Sequence, residues 1–227
     1  MSSLSPLAMA ITAGFLLSGA GLIYYVRYVL PAQSDAKFRE SLRAFSTAIE
    51  LRFPHHAGMT ERVAKLSVAT GRKLKLSKAA LRRIDTAAQL RDIGLCSIAY
   101  RLGNDKHPTQ WTAAELATYD RHPEAGAAML ELVPSMRHIA NIVRCHHASY
   151  DGSSGTFFPK GEDIPIESRI LNVVSSFVWN EKTIGTLLAY DDLERFSGTL
   201  YDPAVTAAFK FVLRSPGVVE PKSAVHV

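Results

Sequence analysis

The feature that most constrains this chain is a run of twenty residues without a formal charge, Leu7 to Val26, LAMAITAGFLLSGAGLIYYV. Folded as a helix at about 1.5 Å per residue, it reaches across the roughly 30 Å hydrocarbon core of a bilayer. It has no polar face, which disfavours the alternative of a buried core helix and predicts a membrane span. A signal peptide ending near Leu30-Pro31-Ala32 is the competing reading. However, no basic side chain precedes the apolar run, and bulky tyrosines sit just before that cleavage point. Tyr24, Tyr25 and Tyr28 suit the membrane interface, and Arg27, Lys37, Arg39 and Arg43 follow closely, so the remainder is predicted to face the cytoplasm. The expected location is the inner or plasma membrane, crossed once.

The rest of the 227 residues fits one domain of ordinary size. With 47% hydrophobic and 21% charged residues, the composition excludes wholesale disorder and a many-pass membrane protein. A net charge of +5 suits an anionic ligand or a membrane surface. Lys and Arg are dispersed and accompany no recognition-helix pattern, so no DNA partner is expected. No Gly-rich strand-to-helix fingerprint points to a dinucleotide-binding fold. Cys96 and Cys145 lack CxxC spacing and imply neither a disulfide framework nor a zinc knuckle.

Strand alternation is nowhere sustained, whereas apolar residues recur at helical spacing throughout. Phe38, Leu42, Phe45 and Ile49 predict a helix over about Ser34 to Arg52, which could also mediate dimerisation. Further helices are predicted at His56 to Lys73, Lys78 to Ile93, Thr112 to Val133, Ser135 to His147, Ile166 to Trp179, Thr183 to Phe196 and Pro203 to Leu213. Thr112 and Glu115 have capping-box spacing, and Pro203 stands at a tolerated first-turn position. Tyr150 to Pro165, rich in Gly, Ser, Asp and Pro, reads as the main loop. The expected organisation is an anchor at 1–32, a linker helix at 33–54, an all-α bundle at 55–214 and a loose tail at 215–227.

A divalent cation needs unprotonated imidazoles and carboxylates converging from several elements. Asp92, His122, His146 and His147 are the candidates. Neighbouring helical residues point in different directions, so His146 and His147 can serve one site only where a helix ends or its turn distorts. Taken singly, each has a plainer reading: Asp92 as a helix-terminal carboxylate, His122 as a capping residue before Pro123, and either histidine of the pair as solvent-facing.

The order of LRDIG at Leu90 to Gly94, RHPEAGAAML at Arg121 to Leu130, IVRCHHASYDGS at Ile142 to Ser153, KGEDIPIESRIL at Lys160 to Leu171 and SGTLYDP at Ser197 to Pro203 resembles the HD-GYP subgroup of the HD-domain superfamily. The resemblance covers about His55 to Leu213. It implies an HD-domain-like helical bundle with a di- or trinuclear metal centre, often iron or manganese, and typical members hydrolyse cyclic di-GMP. In the resemblance, one metal's ligands match Met59, Arg91, Asp92 and Ser175, of which only Asp92 is a ligand type. The other metal's ligands match Asp92, His122, His146 and His147, all present. His55 matches a position where some trinuclear members place a glutamate, which makes it a possible further donor. Leu95 stands where the family carries a phosphate-approaching lysine, and Ser154-Gly155-Thr156 replaces the GYP tip.

These departures impair two-metal hydrolysis, which needs a bridging hydroxide and both cations to neutralise developing charge. Arg91 would bring a permanent positive charge able to complement Asp92 or a ligand phosphate. The leading expectation is a membrane-anchored, degenerate HD-GYP-like signalling or scaffold protein. It would sense cyclic di-GMP or another phosphorylated ligand through Arg91, Asp151 and Arg144, with one iron or manganese ion or none. Its expected partners are cytoplasmic signalling proteins or a second copy. The alternatives are a divergent phosphohydrolase using Asp92 and Arg91 in catalysis, and a pure interaction module. Phe157-Phe158 reads either as an apolar contact at the pocket mouth or as a satellite core beneath the loop.

Overall fold

The structure, a computed structural model, describes residues 5–104, 110–155 and 158–215. Among the described residues every regular element is helical, with one isolated bridge between Ser197 and Tyr201. Phe157 and the tail beyond Ser215 lie outside the described residues. The chain divides into two compact units, residues 1–42 and 43–227.

The first unit contains α1 (Pro6–Tyr24), a π-helical turn (Tyr25–Val29) and the start of α2 (Leu30–Arg52). The Ser5 hydroxyl caps α1 by accepting from the Ala8 amide at 3.3 Å, and Pro6 occupies the first turn, where a missing N–H costs nothing. No residue of α1 is buried, and the helical stretch Pro6–Arg52 is long and apolar enough to cross a membrane.

The second unit is built around α3 (Met59–Lys73), α4 (Lys78–Leu90) and α9 (Ile166–Thr183), which pack on one another. Their contact stripes follow helical periodicity: Val63, Leu66, Ser67 and Thr70 on α3, Ile84, Ala87 and Ala88 on α4, and Ile170, Val173, Val174 and Phe177 on α9 are buried. Each large apolar side chain among them contributes about 1.5–3 kcal/mol by leaving water. α10 (Thr186–Arg195) lies on α9, and α11 (Pro203–Leu213) lies on α3 and α9. Phe177 and Phe209 meet edge to face there at 5.2 Å. Asp202 caps α11 by accepting from the amides of Ala204 and Val205.

Two departures from the sequence-based helices matter for the site. Thr112 to Val133, read as one helix, is two: α6 (Ala113–Tyr119), with the Thr112–Glu115 capping box formed, and α7 (His122–Glu131). Pro123 cannot donate the hydrogen bond that an uninterrupted helix requires at its position, so it sits in the first turn of a new one. Likewise α4 stops at Leu90, and a 3-10 turn (Ile93–Ser97) follows before the short α5 (Tyr100–Asn104), leaving Asp92 in the break. This turn packs against α7 through Gly94, where an added Cβ would lie 1.9 Å from the His122 carbonyl oxygen. Ile49 in the last turn of α2 and Phe53 just after it supply core, clustering with Leu95, Ile98 and Leu102. Leu95 is therefore a fully buried core residue.

Candidate metal centre

Helix termini bring the candidate ligands together. α8 (Arg137–Arg144) ends just before Cys145, whose backbone leaves the helical region, so His146 and His147 follow in a turn. Their ring centroids lie 4.0 Å apart, a pairing that a regular helix would forbid. His122 opens α7, and its ring lies 5.3 Å from each of the other two. One potential ligand atom from each of the three histidines lies within 4.8 Å of the others. Nitrogens bonded to one ion at about 2.1 Å are at most about 4.2 Å apart, so a small inward contraction closes the cluster on a cation.

Hydrogen bonding sets the tautomers. A carbonyl oxygen only accepts, so Nδ1–H of His122 donates to Tyr119 O at 2.8 Å, and Nδ1–H of His146 donates to Val143 O at 2.6 Å. Both Nε2 atoms are then bare, and both are buried without a hydrogen-bond partner. Carbonyl-oriented imidazoles with free, buried lone pairs are what a metal site requires of its ligands. Loss of hydration lowers the His122 and His146 imidazoles, the latter to about 3, so both stay neutral. His147 keeps exposed surface, yet its ring lies where burial first, and His146 and His122 next, hold it well below the ordinary histidine range.

Asp92 stands between this cluster and a second set of groups. Oδ1 lies 3.7 Å from His122 Nε2, while Oδ2 lies 2.8 Å from Arg91 Nη2 and 3.5 Å from His56 Nδ1. Burial alone would raise the carboxyl. Arg91 above all, with His56 and His122, outweighs that penalty and holds it well below the usual carboxylate range. Arg91 is only 2% exposed, and its Nη1 donates to Ala88 O at 2.7 Å.

Met59 and Ser175, which line the same cavity as Asp92, carry weak ligand atoms: Met59 is buried, and Ser175 donates weakly to Asn172 O at 3.5 Å. His56, and not His55, is the histidine that turns toward Asp92. It is buried in a 3-10 turn (Pro54–His56), and its Nε2 lies 3.2 Å from the Tyr119 hydroxyl. His55 is half-buried, and its carbonyl accepts from Lys182. Reading a helix from His56 onward missed this, because the 3-10 turn and the left-handed Gly58 (φ +76°) reset the helical phase before α3.

A cavity of about 620 Å³ opens beside the centre. Met59, Arg91, Asp92, His147 and Ser175 line it together with an aromatic wall of Trp111, Tyr119, Trp179, Tyr201 and Phe158. Phe158 also packs on the small core of Cys145, Ala148 and Ile164, so both roles considered for it hold at once. Arg144 reaches the cavity wall but is paired with Glu124 at 2.9 Å and Glu131 at 2.8 Å. Asp151 is exposed, and its Oδ1 accepts from the Ser153 amide in a local turn. The loop is tied down from α9: Asn172 donates to Ala148 O and Leu200 O, and Arg169 pairs with Asp202 at 2.6 Å.

Residues 43–205 match the family model described as HD domain. The chain is 32% identical over 183 residues to the cyclic di-GMP phosphodiesterase response regulator RpfG of Xanthomonas campestris pv. campestris, covering 74% of this chain and 46% of that protein. It is 31% identical over 163 residues to a cyclic di-GMP phosphodiesterase of Thermotoga maritima (66% and 42% covered), and 26% identical over 194 residues to the 3'3'-cGAMP-specific phosphodiesterase 3 of Vibrio cholerae (81% and 42%). The chain thus spans less than half the length of these relatives. The crystal structure of a V. cholerae cyclic GMP-AMP specific phosphodiesterase superposes with a TM-score of 0.65 at 17% identity, covering 79% of this chain and 49% of the other, and shares the fold. A helical bundle with Asp92 in the break after α4, histidines at the ends of α7 and α8, and a family match over 43–205 belongs to the HD-domain superfamily, in its HD-GYP-related phosphodiesterase family.

Proposed function

We propose that this chain is a membrane-tethered signalling protein that binds a cyclic dinucleotide or another phosphorylated ligand beside one divalent cation, iron or manganese. Asp92, His122, His146 and His147 would hold the ion. The observation that carries this reading is the pair of buried, unpartnered Nε2 atoms of His122 and His146, gathered with His147 against Asp92. When bound, the ion supplies Lewis acidity toward a phosphate oxygen or a water. The chain's own residues do the rest. Asp92 orients toward the cluster, Arg91 presents a fixed positive charge at the cavity wall, and the aromatic wall offers flat apolar surface to nucleobases. Arg91, Arg144 and Asp151 are each engaged with protein groups, and of the three Arg91 and Arg144 line the cavity, so these two are the ligand-facing charges in this reading.

Met59, Arg91 and Ser175, at three of the four positions that the resemblance matches to one metal's ligands, line the cavity and are not usual ligands of a hard divalent cation, which supports binding with impaired turnover. The second reading, slow hydrolysis by a one-metal centre with Asp92 and Arg91 at the reacting phosphate, is favoured by the intact histidine cluster and by the relatives' activities. For the tether, the support is the unburied apolar α1 followed by Arg27, Lys37, Arg39 and Arg43, a charge bias that favours a cytoplasmic second unit.

The chain's two tryptophans, Trp111 and Trp179, both line the cavity, so ligand entry reads out as intrinsic fluorescence. Titration with cyclic di-GMP and 3'3'-cGAMP, alongside chromatography for products, is expected to show saturable quenching without product above a His146→Ala/His147→Ala variant. Product above that background favours the hydrolase, and the absence of quenching with either nucleotide rejects cyclic-dinucleotide sensing.

A further inference from the structure

The two oxygens of Asp92 face opposite neighbours. Oδ1 points to the histidine cluster at 3.7 Å, whereas Oδ2 is taken at 2.8 Å by Arg91. Arg91 is not a mobile surface cation that happens to be near. Its side chain is 2% exposed, and Nη1 is fixed on the carbonyl of Ala88. Nη2 has Asp92 as its charge partner and completes no hydrogen bond of its own. His56 also faces Oδ2, at the longer distance of 3.5 Å. A buried carboxylate needs a neutralising partner, and the Arg91 guanidinium supplies one.

A cation bound by His122, His146, His147 and Asp92 would share that carboxylate with a permanent positive charge. The ion would be repelled by Arg91, whose charge at 2.8 Å already neutralises part of the Asp92 carboxylate. We infer that Arg91 is a built-in competitor of the metal for Asp92, which keeps the metal-free centre assembled and lowers its affinity for a divalent ion. The consequence is a centre whose occupancy follows the free metal concentration, because the empty site does not collapse and the filled one is weakened. This inference rests on the metal-centre reading given above, but it concerns a side chain outside the proposed ligand set.

The test is calorimetric titration of Mn2+ into the full chain, purified tag-free in mild detergent and stripped with a chelator. Wild type is compared with Arg91→Gln, Arg91→Met and Arg91→Lys. Removing the charge is expected to tighten Mn2+ binding by about tenfold in Arg91→Gln and Arg91→Met, equivalent to about 1.4 kcal/mol. Arg91→Lys, which keeps the charge, is expected to bind as wild type does. In chelator the two neutral variants should melt at lower temperature than wild type, and saturating Mn2+ should stabilise them more than it stabilises wild type. If Arg91→Met does not fold, Arg91→Gln, which retains a neutral donor for Ala88 O or Asp92, decides the question. Unchanged or weaker Mn2+ binding in the neutral variants overturns the competitor role while leaving the metal centre standing. Absence of Mn2+ binding in every form, wild type included, overturns the metal centre and this inference together.

Discussion

At the scale of single residues, the protonation state of the histidine cluster governs what the site can do. His146 is held at about 3, and His122 is held below the ordinary value of 6.5, chiefly by burial. Both are neutral in the folded chain, whereas the unfolded chain takes up protons below about pH 6.5. The unfolded state therefore binds more protons throughout the window between the two values, and stability falls as pH falls. Each histidine steepens that loss by up to about 1.4 kcal/mol per pH unit. Asp92 acts in the same direction at lower pH, since its stabilisation is lost as pH drops from 3.8 through its depressed folded value. The urea midpoint of the chelator-treated chain should therefore drop between about pH 6.5 and pH 5, with a shallower slope in His146→Ala; an equally steep slope in that variant would contradict the assignment.

Asp92, His122, His146 and His147 were legible in the sequence because their order and spacing carry the family resemblance, and the structure gathers them. His56 was not, because a 3-10 turn advances about 3.0 residues per turn and not 3.6, so helical phase misassigns neighbouring histidines. Arg144 and Asp151 look ligand-facing as isolated charges. Only their tertiary partners, Glu124, Glu131 and the Ser153 amide, show that they are engaged.

At the scale of elements, two joints set the ligand positions. The first is the contact between the 3-10 turn Ile93–Ser97 and the start of α7. With the His122 carbonyl oxygen 1.9 Å and the Gly126 amide nitrogen 2.6 Å from where a Gly94 Cβ would stand, no side chain fits without moving α7. Gly94→Ala is expected to cost about 1–3 kcal/mol in denaturant unfolding and to weaken Mn2+ binding by displacing His122. Wild-type values for both would show that this joint does not position the ligand.

The second joint is the entrance to α3. Glu50 near the end of α2 accepts from the amides of Gly58 at 2.9 Å and Thr60 at 2.7 Å, and Lys182 on α9 donates to the carbonyls of His55 and Ala57. Both clamps hold the turn that carries His56. Glu50→Ala removes a two-amide cap and is expected to cost about 0.5–2 kcal/mol. It should also shift the emission of Trp179, whose ring lies 5.5 Å from His56; an unchanged spectrum would show that the turn is held without Glu50. The helices themselves were largely legible from apolar periodicity, and Pro203–Leu213 agrees at both ends. The split of Thr112 to Val133 was signalled by Pro123 but overridden by a continuous apolar pattern on either side of it.

At the scale of the whole molecule, an apolar helix that buries none of its residues is joined in sequence to a compact helical unit with an aromatic, metal-suited cavity. The all-α class was legible because no segment alternates apolar and polar residues long enough to make a strand. The cavity was not, because its wall draws on residues from His56 to Tyr201 that share no local pattern. If the first unit tethers the chain, deleting residues 1–33 should move it from the carbonate-resistant membrane fraction to the soluble one; a wild-type chain already soluble after that wash would contradict the tether.

The central claim is that the histidine cluster and Asp92 hold one divalent cation per chain. It is tested most directly by elemental analysis of the full chain purified without an affinity tag, next to His146→Ala/His147→Ala. The account predicts about one iron or manganese per wild-type chain, lost in the variant. No metal in the wild type after exposure to either ion, or metal retained in full by the variant, would contradict it.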